Sequence, residues 1–466
     1  MKLTHLKANN KDIYTAYYTA VSDMVANIKP YIGGALGSEK EVIIAGIGYE
    51  IPWTRDTAIN VSNAGYLFPE ISENTLMSVL KNENGKYIAD GSYGQDWDSI
   101  IWVIGAWNMY LYNGDTEFLK NVYNISKESV QYFEEKAFSD KLGLFRGPAC
   151  YGDGIAAYPD VYAKHGQSGI LSCVGEGESG TAIDMYSLST NCIYYKVYKL
   201  IDKMAECLGN KKEYETKAEA LKEKINTHFW NDEKGYYNYV VDDFGGSDYF
   251  EGMGNSFAIL FGVADIDKAE RIFKSHPASA CGMPCVYPSF ERYTADGEYG
   301  RHSGTVWPHI QSFWADASMK YGKCELFDKE FNMLTKCAVR DGHFSEIYHP
   351  VTSLPYGGMQ EDKGEGIRLW DAEKKQTWSA TGYLHMIFTN IIGFEFEPDG
   401  IRFNPYMPDG VSELELSDFN IRNTNISVSI KGTGRNVKSF KVNGIEKDNK
   451  IKYTDGNDLF VEIELG

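Results

Sequence analysis

Apolar positions recur with the 3.6-residue period of an amphipathic helix through most of the chain up to about residue 390. The pattern predicts helices over 9–29, 55–67, 70–81, 96–113, 115–138, 184–208, 211–230, 253–263, 266–274, 304–321, 323–340 and 376–392. Links between them alternate in length: short ones such as NGD (113–115), GNKK (209–212) and GK (322–323) are followed by long ones rich in Gly, Tyr, Asp and Pro. Short links join antiparallel neighbours, and long structureless loops inside a compact domain usually carry function. Twelve helices paired in this way predict a mainly α fold, an (α/α)6 barrel over 1–392 whose long loops gather at one end. After 393 the period becomes two. FEFEPDGIRFNPYMP, SELELSDFNI, TNISVSIKG and DLFVEIEL lie between NG, DG and TG turns and predict a small antiparallel β module over 393–466.

Composition narrows the function classes. The chain has 466 residues and 43% hydrophobic content, with no apolar run long enough to span a bilayer, so no membrane partner is expected. The start, MKLTHLKANNKDIY, lacks an apolar signal core, and the eight cysteines are scattered; together these predict reduced thiols and a cytoplasmic location. Cys281 and Cys285 sit four apart, but no second Cys or His pair follows at zinc-ligand spacing. No metal and no cofactor are expected. A net charge of −19 without basic clusters argues against nucleic acid. The 33 Tyr, 23 Phe and 9 Trp, beyond those that fill the core, suit the apolar ring faces of a small carbohydrate, whose hydroxyls acidic and amide side chains can bond.

Four stretches concentrate chemistry. In GYEIPWTRDTAINV (48–61), Asp56 opens a predicted helix, either as its cap or, with Trp53 and Arg55, as part of a sugar pocket. In GSYGQDWDSIIWVIGAW (91–107), Asp96 and Asp98 flank Trp97, one placed to cap the helix and the other to face a cavity. In GLFRGPACYGDGIAAYPDVY (143–162), Asp153 lies in a long loop beside Tyr151 and Tyr158. A carboxyl shielded by aromatics has a raised pKa, as a general acid needs, although a turn Asp is the common use of such a residue. The last group joins RHSGTVWPHIQSFWAD, GHFSEIYHPVTSLPYGG (342–358) and QTWSATGYLHMI. It contributes Arg301, His302, Trp307, Gln311, Glu346, Tyr348, Gln376 and Trp378 at loop-to-helix junctions.

WTRDTA, the GLFRG loop with its Asp and YP, RHSGTVWPHIQSFWAD, SEIYHPVTS and QTWSATGYL, in this order, resemble the six-hairpin glycosidases. That group includes glucoamylase, trehalase, the glycogen-debranching glucosidases and especially the processing α-glucosidase I and mannosylglycerate hydrolase group. The resemblance implies an inverting, exo-acting glycoside hydrolase for a short α-linked oligosaccharide or glycoside. It implies an Asp general acid in the central loop, carried over to Asp153, and a Glu general base, carried over to Glu346. Glu178 and Asp184, within and after an apparent insertion, are rival acids. The alternatives are a disaccharide phosphorylase on the same barrel, with Arg301, His302 and Ser303 holding phosphate, and a non-catalytic carbohydrate-binding protein.

Overall fold

The computed structural model describes residues 3–466 except 92–93, 164–167, 171–173, 175–182, 243–245, 295–296 and 363. Its helices are α1 (Lys11–Ala26), α2 (Thr54–Ala64), α3 (Pro69–Ser78), α4 (Trp102–Asn113), α5 (Thr116–Ala137), the short α6 (Asp160–Ala163), α7 (Leu188–Cys207) and α8 (Glu215–Phe229). They continue with α9 (Gly252–Phe261), α10 (Ile266–Ser275), the short α11 (Glu291–Thr294), α12 (Pro308–Lys320), α13 (Cys324–Asp341) and α14 (Thr377–His385). Each of the twelve predicted stretches holds one helix. The ends follow local chemistry: the Asn10 and Asp115 side chains accept from backbone N–H groups at the starts of α1 and α5, and left-handed Gly114 and Gly342 close α4 and α13.

Six of these helices pack in a closed cycle, α2 on α4, α4 on α7, α7 on α9, α9 on α12, α12 on α14, and α14 back on α2. A second set lies outside: α1 and α13 cover α14 and α12, α3 and α5 cover α4, and α8 covers α7. The amino-acid pattern sorts the two sets. In α2 every residue except Ser62 is buried, whereas α5 and α13 bury one stripe and expose charged residues on the other face. Gly105 on α4 permits the tight α2–α4 contact, because a Cβ there would stand 2.9 Å from the Ala58 Cα.

Three features depart from the sequence pattern. A sheet of Met185–Ser187, Tyr236–Asp242, Ser247–Glu251 and Val286–Tyr287 edges the helices, as do the hairpins Ile28–Tyr31/Lys40–Ile43 and Leu80–Glu83/Lys86–Ala89. Most of these strands have two to five residues, too few for a two-residue period to stand out, and the seven of Tyr236–Asp242, YYNYVVD, do not alternate strictly. The C-terminal module is not wholly antiparallel: Thr424–Lys431 runs parallel to Asp458–Leu465, since the intervening chain crosses over before returning. In addition, His5–Ala8 pairs with Glu413–Ile421, so the chain start joins the C-terminal sheet. Tyr66 stacks on Phe396 at 5.3 Å, and Phe388 meets Phe419 at 5.7 Å, an aromatic seam between module and helices.

Candidate active site

The N-terminal ends of α2, α12 and α14 open on one cavity of about 300 Å³, lined by the residues just before and inside each first turn: Trp53, Arg55 and Asp56, then Trp307, then Gln376 and Trp378. Helix N-termini carry partial positive charge, which favours the carboxylates gathered there. Loops add Tyr151, Asp153, Arg301 and Glu346, together with Tyr49, Gln95 and Trp370, and a strand adds Gln360.

The loop carrying Asp153 is held by the start of α7. Ser187 and Thr190 hydroxyls donate to the Pro148 carbonyl at 2.6 and 2.7 Å, Cys150 N–H donates to Ser189 Oγ at 3.0 Å, and Asn191 bonds both backbone groups of Phe145. Tyr151 adopts φ 66°, and its N–H donates to Asp98 Oδ2 at 3.2 Å. This left-handed residue turns the chain so that Asp153 faces the cavity.

Arg55 Nη2 donates to Asp153 Oδ2 at 2.9 Å. Burial pushes the Asp153 carboxyl up, but the positive neighbours, Arg55 foremost, outweigh it and hold the group below the ordinary carboxylate range. His302 stands 4.0 Å away, yet burial holds it down at about 3, so it is neutral and Arg55 supplies the charge. The raised pKa expected from aromatic surroundings is therefore corrected: the tyrosines flank the loop, while an arginine faces the carboxyl.

Glu346 is buried, 3% exposed. Arg301 Nη2 donates to its Oε2 at 2.7 Å and the Tyr49 hydroxyl to its Oε1 at 3.2 Å. Glu346 and the chain near Glu373 are tied by Glu346 N–H to Glu373 O at 2.8 Å, and the flanking Tyr348 exchanges backbone bonds with Val306 at 2.8 and 3.1 Å. These bonds fix the loop backbone against the α12 and α14 approaches. Proximity to Glu346, then burial, raises the Tyr49 phenol, which stays a donor.

Asp56 is the third carboxyl of the cavity. Burial first, opposed by Arg55, and then the neighbouring Asp153, Glu346 and Asp98 leave it raised to about 7. Its nearest cation is Arg55 Nε at 3.8 Å.

Other expected site residues stand elsewhere. Asp96 faces Lys81 and Lys136, each at 3.8 Å, and Trp97 is buried with its indole N–H on the Ala149 carbonyl at 3.1 Å. Asp98 lies behind the wall, holding Arg55 Nη1 at 3.5 Å. His302 stacks beneath Trp307 at 4.8 Å, outside the lining. Gln311 is a core residue donating to Glu330 at 2.7 Å and to the Cys281 carbonyl at 2.9 Å. Tyr348 is fully buried, its hydroxyl accepting from Ser345 N–H. Of the rival acids, Asp184 is on the surface beside Arg146 at 3.5 Å, and Glu178 lies outside the described residues. Ser303 is buried too, with its Oγ accepting from Phe290 N–H at 2.7 Å, so of the Arg301–His302–Ser303 run only Arg301 lines the cavity.

Tyr49, Gln95, Gln360 and Trp370 were missed. Tyr49 and Gln95 sit inside the quoted motifs, within a few residues of Trp53 and Asp96. Gln360 and Trp370 come from a short hairpin, Met359–Asp362 with Gly366–Leu369, that no periodicity marks.

Among the described residues, no group of His, Cys, Asp and Glu is arranged to hold a metal ion, and no helix is long and apolar enough to cross a membrane. Comparison with known families places the chain among the glycoside hydrolases. It belongs to the mannosylglycerate hydrolase MGH1-like glycoside hydrolase domain family, whose model matches residues 99–379. A mannosylglycerate hydrolase from Thermus thermophilus, solved with glucose, superposes with a TM-score of 0.59 at 15% identity, over 79% of this chain and 99% of that one. A GH78 rhamnosidase of Bacillus sp. GL1 gives 0.63 at 13% identity, over 100% of this chain and 44% of that one. By sequence, the N,N'-diacetylchitobiose phosphorylase of Vibrio proteolyticus is 23% identical over 375 residues, 71% of this chain; this chain spans 45% of that protein's length.

Proposed function

We propose that the protein is an inverting, exo-acting glycoside hydrolase for a short α-linked oligosaccharide or glycoside, with Asp153 as general acid and Glu346 as general base. In this reading the six-helix cycle is the inner wall of an (α/α)6 barrel, and the β module after 393 supports it. The observation that carries the proposal is that Asp153 and Glu346, from loops far apart in sequence, line one cavity, each paired with a different arginine.

The cavity is at the low end of the range for small-molecule sites, about 300–1,000 Å³, which suits one sugar ring and a small leaving group. Trp53, Trp307, Trp370 and Trp378 supply faces for the ring. Asp56 and Gln376 supply polar atoms for its hydroxyls. Inversion requires one carboxyl to protonate the glycosidic oxygen while the other draws a proton from water on the opposite face, the two about 6.5–9.5 Å apart. Glu346, with Arg301 and Tyr49 on its oxygens, is fixed for the second role. Asp153 takes up the first when substrate draws Arg55 away from it, leaving burial opposed chiefly by the more distant Arg301 and a backbone bond.

A second reading gives Asp56 the acid role, favoured by its pKa near 7. Asp153→Asn and Asp56→Asn, assayed on glycosides with good and poor leaving groups, separate the two. Loss of the acid is offset by a good leaving group, whereas loss of a hydroxyl contact is not. If the offset appears with Asp56→Asn and is absent with Asp153→Asn, the assignment of Asp153 fails. Turnover that requires inorganic phosphate would replace hydrolysis with phosphorolysis.

A further inference from the structure

A second cavity of about 300 Å³ lies at the opposite end of the helical cycle and shares no lining residue with the first. All six cycle helices or the turns that extend them reach it. On α2, Asn63 lies seven residues beyond Asp56, about 10 Å along the helix axis at 1.5 Å per residue. The walls are aromatic and aliphatic, including Phe257, Phe261, Phe313 and Phe396.

Two donors in this cavity lack acceptors among the described residues, the buried Asn63 amide and the half-buried Lys196 amine. Asn63 is 2% exposed, and its Nδ2 has no hydrogen-bond partner among the described residues. The Lys196 amine likewise has no hydrogen-bond or ion-pair partner among them; it lies over the Phe261 ring at 5.4 Å. Burial first, then Lys203 and Lys320, against the pull of Asp316, hold the amine down to about 8. Of the two acids in the lining, Asp316 is already engaged, accepting from Asn390 Nδ2 at 3.0 Å and facing His385 Nε2 at 3.5 Å, and Glu395 is exposed to solvent. A buried donor without an acceptor, as at Asn63, is destabilising. No acceptor of the lining meets Asn63 Nδ2 or the Lys196 amine, and an acceptor carried on an apolar body would meet both.

We propose that this cavity is a binding site for a small carboxylate with an aryl or short alkyl body, its carboxylate meeting Lys196 and its body lying among the phenylalanines. The site is independent of the catalytic reading.

The test uses 4-(trifluoromethyl)phenylacetate, titrated into the full chain and followed by fluorine NMR, with the corresponding neutral amide as control. Saturable binding is expected, weakened at least tenfold by Lys196→Met and at least tenfold for the amide. Arg301→Met, which removes a cation from the other cavity, should leave it within twofold. Absence of saturable binding, equal binding of acid and amide, or loss with Arg301→Met in place of Lys196→Met would each overturn the proposal. If Lys196→Met does not fold, judged by its thermal melt, Asn63→Ala and the acid–amide comparison decide the outcome.

Discussion

Arg55 donates to Asp153 at 2.9 Å, so the carboxyl assigned as proton donor is ion-paired in the free protein. The same guanidinium holds Gln95 Oε1 at 2.7 Å and approaches Asp98 at 3.5 Å, fixing it from behind while one nitrogen faces the cavity. Replacing Arg55 by Met leaves burial dominant at Asp153, whose pKa then rises. An acid works only while protonated, so the alkaline limb of the kcat/KM profile moves to higher pH, and KM rises with loss of a pocket donor. A limb that stays in place or moves to lower pH contradicts the pairing as the cause of the lowered pKa.

Asp56 behaves in the opposite sense. Its pKa is raised from 3.8 to about 7, so the folded chain binds that proton more tightly than the unfolded chain. The stability this contributes is complete below about 3.8 and is lost as pH rises to about 7. Asp56→Asn removes that loss. At pH 8 it should raise Tm by about 1–3 °C while lowering kcat/KM by a factor on the order of 10². At pH 4 the Tm difference should vanish. A lower Tm at pH 8 would show that Arg55 needs the Asp56 charge more than burial opposes it.

Asn191 ties α7 to the Asp153 loop, accepting from Phe145 N–H at 2.8 Å and donating to Phe145 O at 3.0 Å in a fully buried place. Asn191→Ala strands both backbone groups and should cost about 1–3 kcal/mol in denaturant unfolding. Because the loop carries the acid, kcat should fall more than KM changes. A loss of stability with unchanged kcat would separate this anchor from catalysis.

Gly105 tests the inner cycle. Alanine is the better helix former by about 1 kcal/mol, yet its Cβ here would stand 2.9 Å from the Ala58 backbone. Gly105→Ala should therefore destabilise, by about 1–3 kcal/mol, with α2 displaced. A stabilised variant would mean that α2 and α4 are not in close contact.

The helices were legible in the sequence because each is long enough for its period to show and several carry caps, as Asn10, Asp115 and Gly342 do. The grouping of Trp53, Arg55, Asp153, Arg301 and Glu346 was legible because their motifs sit at junctions that the helical cycle brings to one end. Which of several neighbouring residues faces inward was not. Asp98 and Asp96 differ by two positions in a 3-10 turn, and only the turn's course sends one to Arg55 and the other to Lys81. Gln311 lies four residues after the lining Trp307 and Tyr348 two after the lining Glu346, yet both point into the core. The protonation tendency of Asp153 was also illegible, since it depends on Arg55, 98 positions away.

The central claim is tested most directly by the anomeric form of the sugar first released, followed by proton NMR with the wild-type chain and with Glu346→Gln. The account predicts that an α-linked substrate gives the β-anomer first and that Glu346→Gln abolishes turnover while sugar binding by calorimetry persists. Release of the α-anomer, or turnover retained by Glu346→Gln, would contradict it.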